Sequence, residues 1–396
     1  MSTHPVWLVL FPPENRVLFS FRRSKSARGP VGIDCGSDAL RLLQLRGSAR
    51  ELVSAQLEVP IARSQPHLAV TKGESGAEWI RAAEDAALEW KRAGFRSRHF
   101  LLSIPSPRSQ FQIVSLPSLA PQDFDRAACW EASDRFGMDH EDLSASALPT
   151  NAPATTDGKS EYLLVAAERS FVEAMLEPFL RRGLEPIAVE PRFASAARVA
   201  SRQARRESDR SRVRGVVVVG REETTILVLR GDEIAFAREL PLGSLAMDQA
   251  VSERLALSLD DAAMLRWDAA ETLQHSHAAQ AARDASRGVL ASIANEATMC
   301  FRYYSVRFRG GTPPVVLVLG DGDIALTHEI RNASGIPSML DDEQGSVLAL
   351  AKSLKSRSCG CEENIGRASR WIAAFGAASR SMLPSRASTV ARGVAA

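Results

Sequence analysis

Two stretches carry one pattern: "VGIDCGSDALRLLQLRGSARELVSAQLEVP" at residues 31–60 and "GVVVVGREETTILVLRGDEIAFARELPLG" at residues 215–243. Each opens on an apolar, β-branched run and turns on a glycine. Each then runs apolar again to an Arg-Gly turn and ends as a third strand-like run near a proline. Gly36 and Gly47 stand at the same spacing as Gly220 and Gly231. "ALRLLQL" and "TTILVL" have strand composition, and "RGS" and "RGD" suit hairpin turns. A βββ meander written twice predicts two related domains.

A helix-like segment follows each meander. "GAEWIRAAEDAALEWKRAGF" sets Trp79, Ala82, Ala86 and Trp90 at helical spacing and stops at Gly94. "SLAMDQAVSERLAL" opens with Ser244 as a candidate N-cap. Further strands, "HFLLSIP" and "PPVVLVLG", and a long helix, "AAQAARDASRGVLASIANEATMCFRYYSVRF", complete an α/β alternation. The expected layout is a lead at 1–30, domain I at 31–200, a basic linker at 201–214 and domain II at 215–345. A loop at 346–366, a closing helix at 367–382 that returns to domain I, and a tail at 383–396 follow. Domain I carries extra material at about 98–188, from "HFLLSIPSPRSQFQIVSLP", read as two strands, through "PQDFDRAACWEASDRFG", a helix, to "EYLLVAAERSFVEAMLEPFLRRGLEPIAVE", a strand, helix and strand. It reads as a small inserted αβ subdomain.

Composition narrows the classes. With 396 residues, 45% hydrophobic and 24% charged, the chain exceeds one ordinary core and has the balance of a globular protein. A net charge of +2 leaves no global basic field, which argues against nucleic acid as a partner. The clusters "FRRSKSAR" and "RQARRESDRSRVR" read as solvated linkers or helix faces, with anionic lipid or a protein partner as the second reading. Cys35, Cys129, Cys300, Cys359 and Cys361 form no disulfide framework, which points to a reducing cytoplasm. Cys359-Gly360-Cys361 could hold a metal, but no second Cys or Cys/His pair accompanies it, and a surface loop is the plain reading. No apolar run reaches the roughly 18–20 residues of a membrane span, and "VWLVLF" lacks the flanks of a signal peptide. "VLFSFRRSKSAR", from residue 17, looks like a natural start, so residues 1–16 are expected to be an upstream extension.

Two βββ-α halves with a glycine turn after the first strand are the plan of the actin-like ATPase superfamily, a ribonuclease H-like α/β fold. More closely, the chain resembles the PilM family of type IV pilus assembly, whose relatives include FtsA of cell division and GspL of type II secretion. The residues carrying the resemblance are "VGIDCGSDALRLLQL", where PilM proteins have a D-x-G-S turn, then "SLDDAAMLRW", "LVLGDGD" and "SRWIAAFGAASR". Their order spans about residues 17–380. "VEPRFASAARVA" looks like the segment joining the two domains of actin-like proteins.

The resemblance implies an ATP site with Mg²⁺. Its first loop would be Asp34, Cys35, Gly36, Ser37 and Asp38, with Asp34 the metal ligand and the Cys35 side chain turned to the core. Gly220 and Thr224 would form the second loop; Gly243, Ser244, Gly320, Asp321 and Gly322 would lie along the nucleoside. Glu190 would be catalytic, near the γ-phosphate. Such turns bind phosphate because successive backbone N–H groups point inward and glycine admits close approach, while an edge carboxylate holds hydrated Mg²⁺. Plainer readings stand beside these: a hairpin that Asp34 and Ser37 merely cap, and a helix start with Pro191 at its first position.

Three elements depart from the pattern. Val218 stands where a second aspartate is usual, with Arg221, Glu222 and Glu223 in the turn. Asp321 replaces one glycine of a Gly-Gly pair, and Gly243-Ser244 replaces another. Loss of one carboxylate around a metal commonly costs about 10–100-fold in affinity or activity, so ATP binding is expected to be weak or lost and fast hydrolysis is not expected. The resemblance implies a cytoplasmic scaffold at the inner face of the inner membrane, among pilus assembly platform proteins. It would bind the cytoplasmic segment of a PilN-type bitopic protein in a groove beside the insert, with Leu40–Leu43 and "SQFQIVSL" as candidate walls. An active ATPase or sugar kinase, or an FtsA- or GspL-like component, is the alternative. The first would need a carboxylate at Val218, and the end "SMLPSRASTVARGVAA" is too polar for an FtsA membrane helix.

Overall fold

A computed structural model describes residues 28–46, 52–61, 76–106, 108–117, 121–150, 159–201, 212–271, 276–308, 311–340 and 368–379. The lead, most of the basic linker, the Cys359–Cys361 segment and the tail lie outside the described residues.

The first meander forms β1 (Arg28–Cys35), β2 (Ala39–Arg46) and β3 (Leu52–Pro60), followed by α1 (Ala77–Glu89). The second forms β9 (Val213–Val219), β10 (Thr224–Arg230) and β11 (Glu233–Leu240), followed by α5 (Ser244–Leu255). Two parallel strands complete each sheet: β4 (His99–Ile104) and β8 (Glu185–Pro191) in the first, β12 (Val316–Gly320) and β13 (Ser338–Leu340) in the second. The orders, β3-β2-β1-β4-β8 and β11-β10-β9-β12-β13, are the same plan twice. Even the turns agree. Gly36 N–H donates to Ala39 O at 3.0 Å, and Gly220 N–H donates to Glu223 O at 2.7 Å.

β2 is buried from Ala39 to Leu45 because α1 and the closing helix α9 (Ile372–Ala378) both pack on it. A strand covered on both faces reads as a continuous apolar run, which is what "ALRLLQL" is. The one amide in it, Gln44, is satisfied by Gly29 O and Arg96 N–H, at 2.9 and 3.0 Å. α1 packs Trp79 and Trp90 into this core, and Trp79 Nε1 donates to Gly36 O at 2.8 Å. α4 (Arg192–Ser201) lies between the sheets, so the core runs through it to Leu227, Leu229 and Leu317 on the second sheet. The second sheet's other face is covered by α5, α7 (His277–Arg307) and α8 (Ile324–Ser334). α6 (Leu259–Glu271) packs against α5 and α7.

The insert is smaller than residues 98–188. β4 and β8 pair in parallel with each other and belong to the first sheet, with β4 also beside β1. The separate unit is β5 (Ser109–Leu116), α2 (Pro121–Phe136), β6 (Leu143–Pro149) and β7 (Ser160–Glu168), an antiparallel sheet in the order β5-β7-β6 with its own small core. α3 (Arg169–Leu180) returns to pack on α1. The insert touches the other elements through Phe111 on Phe193, ring centroids 4.3 Å apart, and through Arg307 to Glu161 at 2.7 Å. Ser106, just before it, hydrogen-bonds Glu239 of β11. Among the described residues no helix is long and apolar enough to cross a membrane.

Candidate functional site

The β1–β2 turn, the β9–β10 turn, the β12–α8 turn and the start of α4 meet in one cleft, whose far wall is Arg370, Ile372 and Ala373 at the closing helix. Its cavity volume is about 50 Å³, against roughly 300–1,000 Å³ for small-molecule pockets. Of the expected site residues, Ser37, Asp38, Gly220, Gly320 and Asp321 line it.

The others are placed differently, each for a local reason. Cys35 is in the core, as its apolar neighbours require, and burial pushes its thiol well up. Thr224 is fully buried and donates to Leu242 O at 2.6 Å. Gly243 is the N-cap of α5, not Ser244, and an added Cβ there would lie 2.6 Å from both Gly220 O and Arg221 O. Ser244 N–H and Leu245 N–H donate to those two carbonyls at 2.9 and 2.7 Å. The α5 N-terminus, an anion site when its N–H groups are free, is therefore closed by the chain itself at these two donors. Ser244 Oγ donates to Asp321 Oδ2 at 2.8 Å, and Asp321 N–H donates to Val219 O at 2.7 Å from a turn in which Gly320 takes φ +74°. Gly322 is packed on Val318, where a Cβ would lie 2.3 Å from a methyl.

Glu190 does not reach the cleft. It is 0% exposed, with Arg198 Nη1 and Nη2 donating to its two oxygens at 2.9 and 2.7 Å and Ser195 Oγ donating to one of them. A carboxylate held this way is structural, so the catalytic role expected for it has no geometric basis here. Leu40, Leu42 and Leu43 cannot line a groove either, since all three are core residues at 0% exposure, whereas Arg41 between them faces the cleft rather than the insert.

The electrostatic centre of the cleft is a residue the sequence reading passed over. Arg192 opens α4. Its Nε and Nη2 donate to Asp34 Oδ1 and Oδ2 at 2.7 and 3.1 Å, and its Nη1 donates to Glu223 Oε1 at 3.2 Å. One guanidinium thus joins the first sheet's turn strand to the second sheet's turn. Desolvation opposes the charge on Arg192, but Asp34 and Glu223 more than offset it and raise its pKa. Asp38 is similarly engaged: burial disfavours its charge, yet Arg41, which donates to it at 3.1 and 2.7 Å, holds it well below the usual range. Glu223 turns inward rather than outward. Burial pushes it up to about 8 against the pull of Arg192, with Glu239, Glu222 and Asp34 adding to the rise. Its neighbour Glu239 is raised too, again by burial.

Arg192 was legible only as the residue after Glu190-Pro191, at a position that also suits an ordinary helix start. Arg370 lies in the stretch "SRWIAAFGAASR", which marked the closing helix but not this side chain as a wall of the cleft.

Glu223 makes a pH prediction. A carboxyl whose pKa rises on folding, here from 4.5 to about 8, binds its proton more tightly in the folded state. Its contribution is therefore most favourable below about pH 4.5 and is lost as pH rises through about 8. Glu223→Gln should flatten that part of the stability profile while keeping an acceptor for Arg192. Urea titrations at pH 5 and pH 9 would show a smaller difference than in the wild type; an equal difference would refute the assignment.

ATP with Mg²⁺, implied by the fold, does not fit the residues as they stand. Mg²⁺ needs oxygen ligands in near-ideal octahedral geometry, and both oxygens of Asp34 already accept from Arg192. The turn N–H groups of Gly36 and Gly220 are closed within their own hairpins.

Two sheets of one plan around a shared cleft, the first carrying a small inserted unit, define an actin-like ATPase fold. A sequence model of the type IV pilus assembly protein PilM family matches residues 32–274. The chain belongs to that family. Its structure is similar to that of a PilM–PilN type IV pilus biogenesis complex, with a TM-score of 0.69 at 19% identity over 90% of this chain and 99% of that one. The ethanolamine utilization protein EutJ of Carboxydothermus hydrogenoformans gives a TM-score of 0.49 at 12% identity, over 90% of each chain. An MreB protein of Spiroplasma citri bound to AMPPNP gives 0.47 at 11%, over 84% of this chain and 97% of that one. No curated protein matches the sequence.

Proposed function

We propose that this PilM-family protein is a cytoplasmic scaffold of a type IV pilus or related secretion platform, peripheral at the inner membrane through its partners. It binds the cytoplasmic segment of a PilN-type bitopic protein, and its nucleotide binding is weak or lost. The observation that carries the scaffold reading over an enzyme is the grip of Arg192 on Asp34, which leaves the first loop without a free carboxylate. Family membership and the likeness to a PilM solved with PilN support the partner.

Two related domains, 31–200 and 215–345, form the body of the scaffold. The partner's segment docks beside the insert. With Leu40, Leu42 and Leu43 in the core, the remaining candidate wall is β5, an edge strand of its sheet whose Gln112 and Ser115 are exposed. Strand edges carry unpaired N–H and C=O groups that accept an extended peptide. Co-purification of the full chain with a PilN-type cytoplasmic segment tests the partner, with a saturable complex expected. A chain that hydrolyses ATP at ordinary ATPase rates, or that fails to retain the segment, would overturn the reading.

A further inference from the structure

We infer that Arg192 is a built-in cation standing where a metal-bound nucleotide would bridge the two halves, so that the cleft is closed by the chain itself and needs no ligand to stay closed. This deepens the reading that nucleotide binding is weak or lost.

A cleft between two like-folded halves closes when something joins their facing turns. Both turns point toward the same space, and each brings a carboxylate: Asp34 just before the first turn, Glu223 in the second. Two buried carboxyl groups facing one space cannot both ionise there without a cation. Asp34 pairs with the guanidinium as the charged end, while Glu223, pushed up to about 8 by burial, meets it mainly as a protonated acceptor at neutral pH. A nucleotide with its metal would be one solution. Arg192 is another, and it costs no binding entropy, because it is anchored at the first residue of α4 on the same chain. Its planar fork matches a carboxylate in two places at once, and Asp34 receives two of its donors. The third donor crosses to Glu223. Asp34 is 0% exposed and Arg192 23%, so losing the arginine would leave the Asp34 charge buried without its partner.

The rest of the cleft is arranged to agree. A Cβ on Gly220 would lie 2.7 Å from Glu223 Oε1, so the glycine leaves room for the glutamate to fold back over its own turn toward Arg192. Val218, at the position matching Asp34 in the second meander, pairs with Thr225 as Asp34 pairs with Arg41. A second aspartate at 218 would add a further negative charge that one guanidinium could not offset. The second half thus meets the arginine with a carboxyl from its turn, Glu223, while the strand position matching Asp34 is the apolar Val218.

The two ends of the bridge can be cut separately. Glu223→Ala removes the second-half end and leaves the buried Asp34–Arg192 pair intact, so folding of the first half is not at risk. Arg192→Ala removes the whole bridge. Spin labels on Leu88→Cys and Met264→Cys, exposed sites on α1 and α6, would report the spacing of the halves, with Cys129, Cys359 and Cys361 changed to serine. The wild-type distance distribution should be narrow and unchanged by millimolar ATP with Mg²⁺. Glu223→Ala should broaden it at least about twofold, and Arg192→Ala at least as much. A wild type that contracts on adding ATP with Mg²⁺, or a Glu223→Ala distribution identical to wild type, would overturn the inference. Calorimetric binding of ATP by the wild type without any contraction would instead contradict the weak-nucleotide reading while supporting the bridge.

Discussion

Arg198→Met is expected to destabilise the protein by roughly 3–5 kcal/mol, the cost of leaving a buried charge without its partner. Arg198 is 1% exposed and Glu190 0%, and the two share a pair of hydrogen bonds at 2.9 and 2.7 Å. The same Arg198 Nη1 donates to Gly376 O at 2.8 Å, so the pair also fixes the closing helix. Methionine keeps much of the volume but none of the donors. Against a typical domain stability of about 5–15 kcal/mol, the loss is a large share of the whole. Urea unfolding followed by intrinsic tryptophan fluorescence, to which the buried Trp79 and Trp90 contribute, would read it as a lowered midpoint. The double variant Glu190→Gln/Arg198→Met removes the stranded charge and should recover a substantial part of the loss. If the single variant unfolds at the wild-type midpoint, the pair is not structural.

The second large effect is expected at Gly32. α9 approaches β1 so closely that a Cβ on Gly32 would lie 2.2 Å from Ala374 O and 2.3 Å from Ala378 N. These are backbone atoms of a helix, which cannot rotate away as a side chain can. Gly376 makes the reciprocal approach to α4, where a Cβ would meet Ser195 O. Overpacking a core ordinarily costs about 1–3 kcal/mol, and a clash with rigid backbone belongs at or above the upper end. Gly32→Val should lift α9 off the first sheet and uncover Leu43, the cross-strand partner of Gly32 on that face. Amide exchange over residues 372–378 would then rise by on the order of 100-fold, while exchange in α7 stays near wild type. Unchanged protection of α9 would mean that the close packing is not what holds it.

Much of the architecture was legible because it depends on short-range signals. The β-branched runs, the glycine turns and the Arg-Gly turns are each complete within about a dozen residues, and their repetition exposed the two-sheet plan. The long helix α7 follows from local pattern as well, though its cap, Ser276, which accepts from Ala279 N–H at 3.1 Å, was not singled out. The limits of the insert did not follow. "HFLLSI" is recognisable as a strand, but membership in a parallel sheet depends on a crossover that brings Phe100 beside Val31 and Pro186, far apart along the chain. Composition cannot place a strand in one sheet rather than another.

The site divides the same way. Sequence alone determined the repeated meander, with Asp34-Cys35-Gly36-Ser37 at its first turn and Val218, not a carboxylate, at the position matching Asp34 in its second copy. Only the tertiary structure decided what those residues do. It set Arg192 against Asp34, Glu223 inward and Glu190 out of reach beneath Arg198. The physical reason is range and direction. A turn is specified by the conformations of neighbouring residues, whereas a bidentate ion pair needs two groups distant in sequence to meet at about 3 Å in one orientation. That meeting is fixed by how α4 packs between the sheets.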